Sequence, residues 1–110
     1  GGLALPGGGQ DPGESPEDAA IRETREECGL RIALGPYVDI ADELVFADDE
    51  GKHYRKRCTF YAAEVVGRSV SQEPDHELLW LAADEAAVLL RHESQRWALA
   101  KAVRVHRRGA

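Results

Sequence analysis

Three glutamates in the first third of the chain have a spacing that suits metal chemistry. Glu23, Glu26 and Glu27 stand at positions i, i+3 and i+4, so a helix would place their carboxylates on one face. Each such pair of like charges costs roughly 0.2–0.5 kcal/mol on an isolated helix. A bound divalent cation would turn this repulsion into ligation, because Mg²⁺ and Mn²⁺ prefer carboxylate and water oxygens. The spacing therefore predicts a metal-binding helix face.

The flanking residues predict where that helix begins and ends. Ser15 suits the N-cap, Pro16 the first helical position, and Asp18 the acidic position of a capping box. Gly29 suits the position just after the last turn, because glycine adopts a positive φ without steric cost. The Gly-rich and Pro-rich loop over residues 6–13 would deliver backbone groups to the helix N-terminus, where anions are favoured.

With these residues in place, the stretch from Gly8 to Leu30 resembles the Nudix box, which has the pattern G-x5-E-x7-R-E-U-x-E-E-x-G-U with U an aliphatic residue. The matching residues are Gly8, Glu14, Arg22, Glu23, Glu26, Glu27, Gly29 and Leu30. Thr24 stands where an aliphatic residue is usual, and we expect its hydroxyl to bond back to a carbonyl of the preceding turn. The alternative is a capped acidic surface helix without metal.

The resemblance implies a fold class and a set of site residues. It implies an α/β (α+β) fold in which a mixed β-sheet is sandwiched between helices. It implies a Mg²⁺ site, with Mn²⁺ as a substitute, and a salt bridge that holds a ligand carboxylate in place through Arg22. The implied metal ligands are Glu23, Glu26, Glu27, Glu14 and the carbonyl of Gly8.

An acidic loop later in the chain offers a proton acceptor. The string from His76 to Leu81 resembles a region of diadenosine polyphosphate hydrolases, and it favours Glu77 as the general base, with the box glutamates Glu23 and Glu26 as alternatives. The other interpretation is that Glu73, Asp75 and Glu77 merely keep the loop solvated. His76 alone favours a loop or packing role over metal ligation.

Extended segments follow the box and supply candidate phosphate ligands. Alternation over residues 31–34 predicts a short strand closed by Gly35-Pro36, and residues 37–46 and 53–66 predict a hairpin around the acidic tip 48–51. Arg55 and Arg57 on the return strand either solvate an exposed strand end or bind substrate phosphates, which arginine can contact in a bidentate way.

The last third of the chain predicts a short buried strand and two helices. Residues 78–81 are apolar and favour the strand, residues 83–91 form an amphipathic pattern, and Ser94 suits the N-cap of the final helix. Trp97 favours a core position over stacking on a nucleobase.

Composition sets the outer limits. The 110 residues form one domain, and a net charge of −6 argues against binding to a nucleic-acid duplex, which requires clustered Lys and Arg. No apolar run predicts a membrane span or signal peptide, and the two cysteines, Cys28 and Cys58, favour buried thiols in a reducing compartment, so we expect a cytoplasmic protein. The resemblance implies further strands before Gly1, so we expect an N-terminally incomplete Nudix domain over residues 1–110, whose exposed sheet edge would favour a homodimer.

Two classes of function remain open at this stage. The resemblance implies Mg²⁺-dependent hydrolysis of a diphosphate bond in a nucleoside diphosphate linked to another moiety, such as a dinucleoside polyphosphate, ADP-ribose or a nucleoside triphosphate. The alternative is a Nudix module that binds a nucleotide as a sensor or interaction domain without turnover. The box does not distinguish among the possible small-molecule nucleotides, because all of them share the diphosphate.

Overall fold

The structure is a computed structural model that describes residues 2–47, 52–71, 73 and 76–109, with the backbone alone given for 37, 42–47, 52–55 and 107–109. Within these described residues, three helices and two long strands follow one another. Their bounds are α1 Pro16–Cys28, β1 Leu30–Ala47, β2 Lys52–Arg68, α2 Ala83–Leu89 and α3 Glu93–Gly109.

Helix α1 begins and ends where the sequence predicts. The Ser15 hydroxyl accepts a hydrogen bond from the Asp18 N–H at 3.1 Å, and Pro16 occupies the first turn. Gly29 takes a left-handed conformation, with φ 68° and ψ 27°, and its N–H donates to the Arg25 carbonyl. The Thr24 side chain is buried, and its hydroxyl donates to the Ala20 carbonyl at 2.7 Å, as expected. Hydrogen bonds therefore fix both ends of α1, and with them the positions of the glutamates along the helix.

The hairpin is confirmed, but its first strand is longer than predicted. Strand β1 runs through Gly35-Pro36 as one element and pairs antiparallel with β2 from Leu30↔Arg68 to Ala47↔Lys52. Gly35-Pro36 does not end a strand, and the expectation that it would was wrong. The register instead shifts between Leu34 and Tyr37, because a proline has no N–H for the ladder and a local irregularity absorbs it. The predicted tip, residues 48–51, lies outside the described part.

Residues 78–81 do not form the predicted strand. They have no regular structure, and Leu79 and Trp80 are 54% and 63% exposed. A strand needs a partner for its backbone groups, and the sheet of the described residues contains only β1 and β2. The apolar pattern predicted a strand at residues 78–81, but no strand among the described residues pairs with them.

Helices α2 and α3 pack on each other, and α1 and α3 both contact β1. The described core is small and consists of Ala19, Leu30, Leu90 and Ala98 as its buried apolar residues. Helix α3 begins at Glu93, and the carbonyl of His92 accepts hydrogen bonds from the N–H groups of residues 95 and 96. The prediction of Ser94 as its N-cap was therefore wrong by two residues.

Trp97 differs from its predicted core position. Its side chain is 43% exposed, and the Lys101 ammonium lies over its ring at 5.6 Å from the centroid. Lys101 also forms an ion pair with Asp39 on β1, which ties the helix to the strand. Cys28 and Cys58 form no disulfide with each other, and both are of intermediate exposure, whereas buried thiols were expected.

The arrangement agrees with the predicted fold class, as a mixed α/β chain consistent with part of a Nudix fold. Among the described residues the sheet itself is antiparallel, and a separate parallel bridge joins Leu3 and Leu90 outside it. Among the described residues, no helix has the length and apolar character needed to cross a bilayer.

Candidate metal and catalytic site

Arg22 is the centre of an ion-pair network on α1. Its Nε and Nη2 donate to the two carboxylate oxygens of Glu14 at 2.8 and 2.9 Å, and Nη2 also donates to the Gly9 carbonyl at 2.9 Å. Its Nη1 donates to Glu23 at 2.8 Å and to Glu26 at 3.2 Å. One planar guanidinium thus fixes three carboxylates and the preceding loop, which a single ammonium could not do.

The pKa values of this pair follow from the contact. The Arg22 guanidinium, followed by the Asp11 N–H, lowers the pKa of the Glu14 carboxyl to about 2. The Glu14 and Glu23 carboxylates raise the pKa of Arg22 above its ordinary value. Both groups are therefore charged throughout the physiological range.

A cluster of carboxylates lies beside this network. Glu23, Glu26 and Glu73 each offer one oxygen, and these oxygens lie within 4.8 Å of one another. Glu73 comes from the segment after β2, so the cluster joins the box helix to the later acidic loop. We call Glu23, Glu26 and Glu73 the acidic cluster.

Two features of the acidic cluster fit a hard divalent cation. The Oε2 atom of Glu73 is buried without a hydrogen-bond partner among the described residues, which is costly unless something else binds it. The second feature is the closeness of the Gly8 backbone to the acidic cluster: a Cβ built on Gly8 would lie 2.5 Å from the Glu23 carboxyl carbon. Carboxylates alone, with no His or Cys, are the donor set that Mg²⁺, Mn²⁺ and Ca²⁺ prefer.

Glu27 lies next to the acidic cluster and is protonated more readily than an ordinary glutamate. Burial, a hydrogen bond with Glu23 and the nearby charges of Glu23 and Glu73 raise the pKa of Glu27 to about 7, and the His76 charge acts in the opposite direction. Two carboxyl groups can share a hydrogen bond only while one of them holds a proton. With a pKa of about 7, Glu27 is partly protonated near neutral pH, and a bound cation would displace that proton.

The other predicted residues lie around a cavity of 880 Å³. Glu77, Arg57 and the Gly8 backbone line it, as do Lys56 and Phe60 of β2. Glu27 also faces this cavity, so the cavity adjoins the acidic cluster. The side chain of Arg55 lies outside the described part.

The structure therefore brings together some predicted residues and separates others. Glu23 and Glu26 are in the acidic cluster, and Glu27 is bonded to it. Glu14 lies on the far side of Arg22, and Glu77 lines the cavity outside the cluster, among the residues described. The residue that sequence reasoning missed is Glu73. Its signal was present in the acidic string 73–77, but spacing alone does not show which acid of a loop faces a distant helix.

Comparison with known proteins places this site in a family. The family model for the NUDIX domain matches residues 1–103. The chain belongs to the Nudix family. Its box supplies Arg22, Glu14, Glu23 and Glu26 to the network, and Glu73 of the acidic cluster lies outside the box.

Individual relatives are named as hydrolases of phosphate anhydrides. A Mycobacterium tuberculosis protein named provisionally as 8-oxo-dGTP diphosphatase 3 is 34% identical over 91 residues, covering 80% of this chain and 41% of that protein. A Bacillus subtilis protein named provisionally as an 8-oxo-dGTP diphosphatase is 46% identical over 46 residues, covering 42% of this chain and 31% of that protein.

A mouse relative carries a different name. Diphosphoinositol polyphosphate phosphohydrolase 3-alpha is 41% identical over 39 residues, covering 36% of this chain and 24% of that protein. The chain spans less than half the length of each of these three relatives. Two of these names give 8-oxo-dGTP and the third gives a diphosphoinositol polyphosphate as the compound acted on.

Proposed function

We propose that this chain binds Mg²⁺ through Glu23, Glu26 and Glu73 and hydrolyses a diphosphate bond in a nucleoside diphosphate linked to another moiety. The observation that supports this most is the acidic cluster, with its buried unpartnered oxygen on Glu73, beside a cavity large enough for a nucleotide. Glu27, Glu14 and the Gly8 carbonyl, which the family resemblance adds, complete the proposed ligand set.

Charge explains why this site needs a cation. Adjacent phosphates are anionic and repel an attacking oxygen, and a bound divalent ion supplies neutralisation of that charge and a more acidic water. Three carboxylates would otherwise repel the substrate. Their attraction for the cation outweighs this repulsion, and Arg22 holds two of them, Glu23 and Glu26, in position.

Each remaining residue has a proposed part. Lys56 and Arg57 line the same cavity as the box loop and are the proposed partners of phosphate oxygens that do not bind the cation. Glu77 lines the same cavity and is the proposed acceptor of the proton from the attacking water, with Glu23 and Glu26 as alternatives.

The cavity favours a nucleotide over a heavily phosphorylated inositol. Its described lining contains two full cations, Lys56 and Arg57, together with the acids Glu27 and Glu77. A ring that carries many phosphates would need more positive charge than this. Phe60 on the cavity wall offers an aromatic face for a base.

Turnover on a substrate panel tests the proposal. We would measure Mg²⁺-dependent release of nucleotide from dinucleoside polyphosphates, ADP-ribose, nucleotide sugars and nucleoside triphosphates, with wild-type protein and Glu26→Gln in parallel. We expect turnover of at least one of these substrates by wild type and its loss in Glu26→Gln. Nucleotide binding without turnover on any of them would overturn the hydrolase and support a sensing module.

A further inference from the structure

The segment after β2 is attached to the end of helix α1 by a set of hydrogen bonds centred on Ser71. The Ser71 hydroxyl donates to the Glu26 carbonyl at 2.9 Å, with the Glu27 carbonyl at 3.1 Å as its other acceptor. The same oxygen accepts the Glu73 N–H at 3.3 Å. A hydroxyl has one hydrogen and two lone pairs, so these contacts use its donor and one acceptor position.

Two backbone hydrogen bonds also attach this segment to the end of α1 and to Gly29. The Glu73 N–H also donates to the Glu26 carbonyl at 3.2 Å, and the Ser69 N–H donates to the Gly29 carbonyl at 2.8 Å. The last carbonyls of a helix have no partner within the helix. Ser71 and Glu73 satisfy the Glu26 and Glu27 carbonyls of α1, and Ser69 satisfies the Gly29 carbonyl that follows the helix, so these residues are attached to the helix end.

This attachment determines where the Glu73 carboxylate lies. Glu26 is bonded through its carbonyl to Ser71 and Glu73, and its own side chain lies in the acidic cluster with the Glu73 side chain. The backbone of Glu73 is therefore bonded to Glu26, whose carboxylate lies beside the Glu73 carboxylate in the acidic cluster. Two like charges would otherwise move apart, because repulsion favours the longer separation in the absence of a cation.

We propose that Ser71 is a positioning residue for the metal site: its hydroxyl attaches Ser71 and Glu73 to the end of α1 and holds Glu73 in the acidic cluster. This inference rests on the proposed function of the same site and adds a residue outside the Nudix box to it. Ser71 is not part of the acidic cluster and does not line the cavity, so its proposed effect on the site is exerted through Glu73. Partners that orient metal ligands typically contribute about 10–100-fold to metal affinity or activity.

The direct test is Mn²⁺ binding followed by electron paramagnetic resonance, with kcat and KM for the best substrate measured alongside. We expect Ser71→Ala to weaken Mn²⁺ binding about tenfold and to lower kcat/KM by a similar factor. Ser71→Thr keeps the hydroxyl, and we expect it to restore most of the loss. Ser69→Ala is the matched control, because the contact of Ser69 is made by its backbone, and we expect wild-type values.

Coupling to Glu73 separates positioning from general stability. If Ser71 acts through Glu73, the double variant Ser71→Ala/Glu73→Gln binds Mn²⁺ no more weakly than Glu73→Gln alone. Additive losses in the double variant, or wild-type Mn²⁺ binding in Ser71→Ala, would overturn the inference. If Ser71→Ala unfolds, Ser71→Cys, which keeps the side-chain volume and replaces the hydroxyl with a weak thiol donor, is compared with and without Glu73→Gln and decides the same question.

The two proposals fail in distinguishable ways. If Glu26→Gln loses Mn²⁺ binding and Ser71→Ala binds Mn²⁺ normally, the positioning role of Ser71 is wrong and the proposed metal site is still supported. Absence of Mn²⁺ binding in the wild-type protein sinks the metal site itself, and the Ser71 inference with it.

Discussion

Arg22 shows how one side chain can hold several carboxylates of a site in place at once. Its guanidinium contacts Glu14, Glu23 and Glu26 and the Gly9 carbonyl, so it joins the box loop to the acidic cluster. The pattern in the sequence predicted one salt bridge from this arginine. The structure shows a fork that holds several carboxylates, and this makes the number and geometry of its donors important as well as its charge.

Arg22→Lys therefore keeps the charge and removes the fork. We expect kcat/KM to fall about tenfold or more, because an ammonium cannot donate to all of these oxygens at once. Steady-state kinetics at saturating Mg²⁺ measure the effect, and Arg25→Lys on the exposed side of α1 is the control. Equal activity of Arg22→Lys and wild type would show that charge alone suffices.

Glu27 makes the stability of the metal-free protein depend on pH. Its pKa is about 7 in the folded protein against an ordinary 4.5, so the folded state holds a proton that the unfolded state has lost between these values. Folding stability should then fall as pH rises from about 4.5 to about 7. Glu14, whose pKa is lowered to about 2, loses its contribution only as pH falls through its folded pKa and changes little in this window.

Denaturant unfolding in EDTA between pH 4.5 and pH 8 tests this directly. We expect the midpoint to decrease with pH in wild type and to stay nearly flat in Glu27→Gln, which cannot lose a proton. A steep decrease that persists in Glu27→Gln would assign the effect to another group. Mg²⁺ binding should strengthen over the same pH range, because the cation competes with this proton.

At the scale of elements, the junction between α1 and the segment 69–71 depends on Gly29. Its φ of 68° is strained for any residue with a side chain, and a Cβ there would stand 2.6 Å from the Ser69 carbonyl oxygen and 3.1 Å from the Ser71 nitrogen. Gly29 therefore serves both the helix end and the close approach of the segment that carries Glu73.

Gly29→Ala should cost more than backbone strain alone. We expect it to destabilise the fold by more than the roughly 1 kcal/mol of a left-handed alanine and to weaken Mn²⁺ binding, because the segment must move away. Gly13→Ala is the matched control, since Gly13 has φ 79° and nothing within 4 Å of its would-be Cβ. Denaturant midpoints and Mn²⁺ affinities of both variants decide the matter, and equal losses in the two would contradict this role of the junction.

The elements also show what sequence reasoning can and cannot reach. Local signals predicted α1 and the hairpin well, because a cap, a left-handed glycine and strand alternation act within a few residues. The prediction of a strand at residues 78–81 was wrong, because a strand needs a second strand to pair with, and the residues of one strand do not specify that partner. Glu73 was missed for the same reason, since its place depends on contacts between distant segments.

At the scale of the whole molecule, the acidic site stands in an acidic chain with a net charge of −6. Such a surface does not attract polyanions, so the affinity for a phosphorylated substrate depends on the bound cation and on the few cavity cations such as Lys56 and Arg57. Leu79 and Trp80 are exposed apolar residues, and Leu79 also lines the cavity beside the acidic cluster.

Cation binding should therefore stabilise the whole fold. A ligand that binds only the folded state at 100 times its Kd adds about 2.7 kcal/mol, so Mg²⁺ should raise the Tm of wild type. Glu23→Gln should lose most of this rise, whereas Glu64→Gln, an exposed carboxyl on β2, should keep it. A Mg²⁺-dependent rise of equal size in Glu23→Gln would show that the ion binds elsewhere.

The central claim is that Glu23, Glu26 and Glu73 together hold a divalent cation, and Mn²⁺ titration followed by electron paramagnetic resonance tests it most directly. Wild type, Glu26→Gln, Glu73→Gln and Glu77→Gln would be compared at one pH above 7. We predict binding at least tenfold weaker in Glu26→Gln and Glu73→Gln and near wild type in Glu77→Gln. Unchanged binding in Glu73→Gln, with a loss in Glu77→Gln, would contradict the account and assign the later ligand to Glu77.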